Sequence, residues 1–247
     1  SANIIDFNEI FDFHLNKSAD ITILYRHGKC EKDLEKNMNF ILNEEGRITK
    51  ANLKSKIGTI TNSCINMFIM NRRLLQGLLE EAISQGMESF HRDLIFNNIK
   101  SLKIYGYEHK GVYLHVNSME NYFKYNMALL NHETKDALFG NKNHRVYTKV
   151  RDSAPTRYGF NAKVENSFIA DGCVIDGTVE NCILFRGVKV KKGAVLKNCI
   201  ILQQSEILSN CHLENVITDK LVLINEGKTL IGTKDFPIVV PKEKVIL

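Results

Sequence analysis

The sequence predicts an α/β region over the first half of the chain and a parallel β-helix over the second. Two observations carry that reading. A six-residue motif recurs after position 160 at intervals of 15, 17 and 17 residues, close to the roughly 18 that three hexapeptides need for one coil. Ahead of it, β-branched runs alternate with stretches of helical spacing, the rhythm of an α/β unit. With 44% apolar and 25% charged residues over 247 positions, the chain is a folded globule of one or two domains, and a disordered or fibrous protein is excluded.

Taken in order, Asn8 to Leu15 has the spacing of a short helix, and Ile21-Thr22-Ile23-Leu24-Tyr25 follows as a strand. Cys64 to Met70 reads as a second strand. It leads into Leu74, Leu75, Leu78, Leu79, Ala82 and Ile83 at helical spacing, with Gly86 as the stop. Leu102-Lys103-Ile104-Tyr105 is a further strand, and Ser118 caps a helix whose Met119, Tyr122, Phe123, Met127 and Leu130 form one apolar stripe, assigned to the core. The polar stretch from Asn131 to Asn161 carries Gly140, Pro155 and Gly159. It is assigned as the linker, so the expected domains are 1–130 and 162–247, joined by 131–161.

In the second half, Val164 to Ile169, Val179 to Leu184, Leu196 to Ile201 and Leu213 to Thr218 each read aliphatic, charged, Asn, small, aliphatic, aliphatic, apart from small variations. One coil cannot bury its own inward face, so successive coils must stack and aligned positions must form ladders. Asn166, Asn181, Asn198 and Asn215 are expected at left-handed corners, and Cys182 and Cys199 are expected stacked inside as small fillers. Ile183 and Ile200 are assigned to the coil interior. Gly172, Gly177, Gly187 and Gly193 supply the remaining tight corners. The closing run Asp235 to Pro241, with its two prolines, suits an edge strand or cap.

Charge and cysteine usage narrow the function. The net charge is 33 − 28 = +5, spread along the chain rather than gathered in one face, so no nucleic acid is expected and anionic small molecules are mildly favoured. Six cysteines include no C-x-x-C pair and no histidine at zinc spacing, so no metal site is expected and a reducing cytoplasm fits. The longest apolar runs are four residues, far short of the roughly 20 a membrane helix needs.

An α/β region followed by hexapeptide coils is the layout of sugar-nucleotide pyrophosphorylases, and the chain resembles the ADP-glucose pyrophosphorylase family over nearly its whole length. Thr61 to Met70 (T-N-S-C-I-N-M-F-I-M) is similar to that family's A-S-M-G-I-Y-V-F, and Gly111 to Ser118 (G-V-Y-L-H-V-N-S) to its G-Y-W-K-D-V-G-T. Ser118 to Leu130 follows the family's I-D-S-Y-W-E-A-N helix. The resemblance implies the C-terminal part of a Rossmann-like nucleotidyltransferase domain, then a left-handed parallel β-helix. It also implies an N-terminally truncated chain, with Ser1-Ala2 the remnant of a tag, or else a natural short form; the family's Gly-rich triphosphate loop has no counterpart in these residues.

Departures from the pattern imply loss of turnover. The family's Lys and magnesium-binding Asp stand at Leu114 and His115, and its close-approach Gly stands at Ile65. Neutral imidazole is a poor ligand for a hard cation. The glycine and proline of the family's D-F-G-x-D-I-I-P fall on His91 and Phe96, while Asp93 is kept. No E-K-P motif lies between Tyr25 and Thr61. Ser63 and Asp93 are the positions at which sugar-phosphate contact is expected to persist.

A pyrophosphorylase-like chain with a degenerate centre resembles the GlgD-type glycogen-biosynthesis subunit, a non-catalytic or weakly active regulatory chain. The implied partner is the catalytic glucose-1-phosphate adenylyltransferase subunit, which would carry the magnesium, this chain holding no cofactor of its own; a homo-oligomer is the substitute when the partner is absent. Lys149, Arg151 and Arg157 are either a site for a phosphorylated effector or ordinary solvated charges. A scaffold subunit outside glycogen synthesis and a hexapeptide acyltransferase are the competing readings. The second needs a catalytic histidine, and His212 is the single histidine after Arg145.

Overall fold

A computed structural model describes residues 2–30, 37–87, 89, 94–140 and 146–247. The chain divides into two compact units, Ile4–Gly111 on one side and the N-terminal residues up to Asn3 with Val112–Leu247 on the other.

The α/β unit is built on a five-stranded sheet in the order Ile48–Asn52, Asn39–Leu42, Ile60–Met70, Ile21–Lys29, Ile104–Glu108. Ile21–Lys29 runs antiparallel to Ile60–Met70 and parallel to Ile104–Glu108. Its first five residues are all buried, as expected of a strand covered on both faces. Ile21 and Ile23 pack with Leu78 and Ala82, while Thr22, on the opposite pleat, meets His14. Helix α1 (Phe7–Asn16) starts where the Asp6 carboxylate accepts from the Asn8 N–H. Helix α2 (Arg72–Ser84) starts where Asn71 accepts from Arg73, and Gly86 follows its end at φ 65°. The hairpin of Asn39–Leu42 and Ile48–Asn52 carries no signal in the sequence reading. Its turn is fixed by the Asn43 side chain, which accepts from the N–H groups of Glu45 and Arg47, and by Gly46 at φ 83°.

The second unit is the β-helix, in which short strands form three parallel sheets. Each residue pairs with its counterpart one coil on: Val164, Val179, Leu196, Leu213 and Leu230 form one continuous rung series. The corners obey the expected geometry, with Asn166, Asn181, Asn198 and Asn215 at φ 40°, 50°, 50° and 51°. Gly177 serves a different purpose. Its φ is ordinary, but a Cβ there would stand 2.5 Å from the Ala194 carbonyl oxygen, so only glycine lets neighbouring coils approach. Cys182 and Cys199 are fully buried and stacked, the Cys199 N–H lying 3.3 Å from the Cys182 Sγ. Ile238–Val240 closes one sheet as its edge strand.

Three expectations differ from the structure. The division falls at Gly111 and Val112 rather than near residue 130, because helix α3 (Met119–Ala128) packs on the coils: Phe123 is buried against Ile200 and Ile217, with Tyr122 and Met127 beside it. The stretch 131–161 is likewise more than a linker. It holds helix α4 (His132–Phe139), capped by Asn131, and Arg157–Tyr158, which pairs with Val174–Ile175 as the first rung of its sheet. Ile183 and Ile200 are also off by one pleat, since Leu184 and Ile201 fill the coil interior while Ile200 faces outward beneath Phe123.

Candidate functional site

The positions matched to the pyrophosphorylase motifs fall in both units, and each is considered within its own. In the α/β unit, Ser63, Cys64 and Ile65 lie on the strand Ile60–Met70 and are buried at 1%, 0% and 2% exposure. The Ser63 hydroxyl donates to Asn39 Oδ1 at 2.9 Å, and the Thr61 hydroxyl donates to the same oxygen at 2.8 Å. Asn39 in turn donates to the Asn37 carbonyl, and Asn37 to that of Cys64. This closed network spends the Ser63 hydroxyl on holding strands together. Ile65 places a buried aliphatic side chain where the motif has glycine.

Between Ile65 and Met67 the strand bulges. Ile23 pairs with Phe68 but Tyr25 pairs with Cys64, so extra residues are accommodated on one side, and Asn66 takes the left-handed conformation at φ 60°. Burial pushes the Cys64 thiol up to about 12, opposed weakly by the Asn66 N–H. A thiol so placed is inert. The sequence reading missed the bulge; the asparagine before Met67 was its only local sign.

In the other unit, Tyr113–Leu114 pairs antiparallel with Ala2–Asn3. Leu114 is 8% exposed. His115 has its Nδ1 2.7 Å from the Tyr113 hydroxyl, and the two rings lie 5.6 Å apart at 31°. These groups do not fit a magnesium ion. The matched positions hold an alkyl chain and an imidazole engaged by a phenol rather than hard oxygen donors, and no group of three or more His, Cys, Asp or Glu converges anywhere among the described residues.

Lys149, Arg151 and Arg157 are all exposed. Only Arg157 lies in regular structure, on the first rung of its sheet. Asp93 and His91 lie outside the described residues. Phe96 is 42% exposed. His212 sits on a coil strand between Val195 and Thr229, its neighbours in the rung. No described helix is long and apolar enough to cross a membrane.

Comparison with known proteins agrees with this picture. Residues 152–235 match the family described as GlmU-like, C-terminal hexapeptide. The glycogen biosynthesis protein GlgD of Bacillus subtilis (strain 168) is 38% identical over 178 residues, which are 72% of this chain and 51% of that protein. Glucose-1-phosphate adenylyltransferases of Bacillus cereus (strain ATCC 10987 / NRS 248) and Bacillus mycoides (strain KBAB4) are each 27% identical over 244 residues, 96% of this chain and 63% of theirs. The chain thus spans between half and two thirds of these relatives. With hexapeptide coils following an α/β sheet in the chain, this protein is similar to GlgD over 72% of its length and, at lower identity, to glucose-1-phosphate adenylyltransferases over 96% of it.

Proposed function

We propose that this chain is a glycogen-biosynthesis protein serving as a non-catalytic regulatory subunit of glucose-1-phosphate adenylyltransferase, whose reaction converts ATP and glucose 1-phosphate to ADP-glucose and pyrophosphate. The observation that carries the reading is the pair at the motif's metal-binding end: Leu114 is buried and the His115 imidazole is tied to Tyr113. Ser63 adds to it, since its hydroxyl is consumed by Asn39. In this reading a catalytic chain in the cytoplasm supplies the carboxylates and the magnesium. This chain supplies contact surface, including the edge strand Ile238–Val240, whose unpaired side suits association. Exposed Lys149, Arg151 and Arg157 offer charge to a phosphorylated effector.

The test compares ADP-glucose formation by the purified chain, by a catalytic homologue and by their mixture, with size measurement of each. We expect no turnover by the chain alone, a mixed assembly, and altered kinetics of the catalytic chain. The variant His115→Asp is expected to stay inactive, since one carboxylate leaves Leu114 and Ile65 in place. Turnover by the unmodified chain would sink the non-catalytic part of the reading, and a mixture that neither co-elutes nor changes rate would sink the regulatory part.

A further inference from the structure

The β-helix unit holds a groove of about 870 Å³ whose lining includes none of Ser63, Ile65, Leu114 and His115. One wall is the corner column Asn166, Asn181, Asn198 and Asn215; the other is helix α3, which contributes Met127 and, with Leu130 just beyond its end, an apolar strip. The volume lies in the range of small-molecule sites. Stacked coils set the column's repeat at the strand spacing of about 4.8 Å, so the four asparagine side chains stand in line at even steps, with Asn166 Nδ2 donating to Asn181 Oδ1 at 2.7 Å.

The chemistry of the lining selects among ligands. The lining holds three carboxylates (Glu120, Glu133, Asp235) and two ammonium groups (Lys124, Lys234), so the groove carries no excess of positive charge. Asn215 is 6% exposed, and because its Nδ2 donates to the Gly232 carbonyl at 3.0 Å, its Oδ1 is held the other way round, where it accepts no hydrogen bond. A phosphate or other anion would meet carboxylates. A neutral polyol has hydroxyls that both donate and accept, which suits amides, carboxylates and ammonium groups alike, while the C–H faces of sugar rings suit Met127 and Leu130. A sugar ring is about as long as the step between coils, so a linear oligosaccharide presents its groups in register with the column.

We propose that this groove binds an uncharged linear oligosaccharide laid along the asparagine column. The proposal stands apart from the regulatory reading, because binding is a property of this chain by itself. Titration of the full chain with maltotetraose and with cellotetraose, followed through NMR signals of the asparagine side-chain amides, tests it. We expect saturable shifts at Asn181 and Asn198 with at least one of the two. Asn198→Gly, which keeps the φ 50° corner without a carboxamide, should weaken binding about tenfold at an unchanged melting temperature. Should that variant unfold, the shifts in the unaltered chain still decide the matter. No saturable shift with either saccharide, undiminished binding by the Asn198→Gly variant, or tighter saturation of the same amides by inorganic phosphate or by a free amino acid would overturn it.

Discussion

The coil unit and the α/β unit are stabilised by contacts of different range. In the coils a buried residue stacks on its own counterpart 15 to 17 positions along the chain, as Val179 does on Leu196. In the α/β unit, Ile21 takes its neighbours from Met70 and Ile104, sites with no sequence relation to it. A repeated contact writes itself into the sequence as a period, whereas a unique one leaves only local propensity. The difference also predicts how each unit fails.

The largest effect is expected inside the coils. Ile201 is fully buried among apolar neighbours, so Ile201→Asp introduces an uncompensated charge worth about 4 kcal/mol or more. Because each coil depends on the next, loss of the cooperative unfolding transition of residues 112–247 is expected by circular dichroism and hydrogen exchange, with the sheet of residues 21–108 retained. Equal loss in both regions would mean that they do not fold as separate units.

Next comes the layer of helix α3 on the coils. Phe123 is 3% exposed against Ile200 and Ile217, and Phe123→Ala should cost about 3 kcal/mol while leaving the interior ladder of Leu184 and Ile201 protected from exchange. An unchanged denaturation midpoint would mean that α3 contributes no packing and that Ile200 faces inward after all.

The smallest expected effect sharpens the comparison from the other side. His14 is buried in the α/β unit, 2.8 Å from the Thr22 hydroxyl, and its burial lowers its pKa against the opposing pull of Asp20. The unfolded chain therefore takes up a proton that the folded unit resists. Stability of this unit should fall as pH drops through the ordinary imidazole value of 6.5 and level off below the depressed folded pKa. His14→Gln should flatten the dependence of the urea midpoint between about pH 7.5 and pH 5.5, and an unaltered slope in that variant would assign the dependence elsewhere.

Much of the architecture was legible because it rests on periodic or local signals. The asparagine corners follow from a residue type that tolerates the left-handed region, and the cap Ser118 from a short side chain that reaches the backbone. The hairpin 39–52 was not legible: its turn depends on one side chain, Asn43, accepting two N–H groups, which no pattern announces. At the candidate site, the sequence located Ser63, Ile65, Leu114 and His115 by motif. It could not say that the Ser63 hydroxyl is spent on Asn39 or that Tyr113 holds His115.

The sequence by itself determined the coil period and the left-handed corners, since each depends on residue identity at a fixed spacing. Only the tertiary structure decided which pleat of the coil strand faces inward, because Ile200 and Ile201 are chemically the same and differ only in whether the coil interior or Phe123 covers them. It likewise decided that helix α3 belongs with the coils. An apolar stripe states that a helix must be covered, and the identity of its cover is set by packing against residues far along the chain.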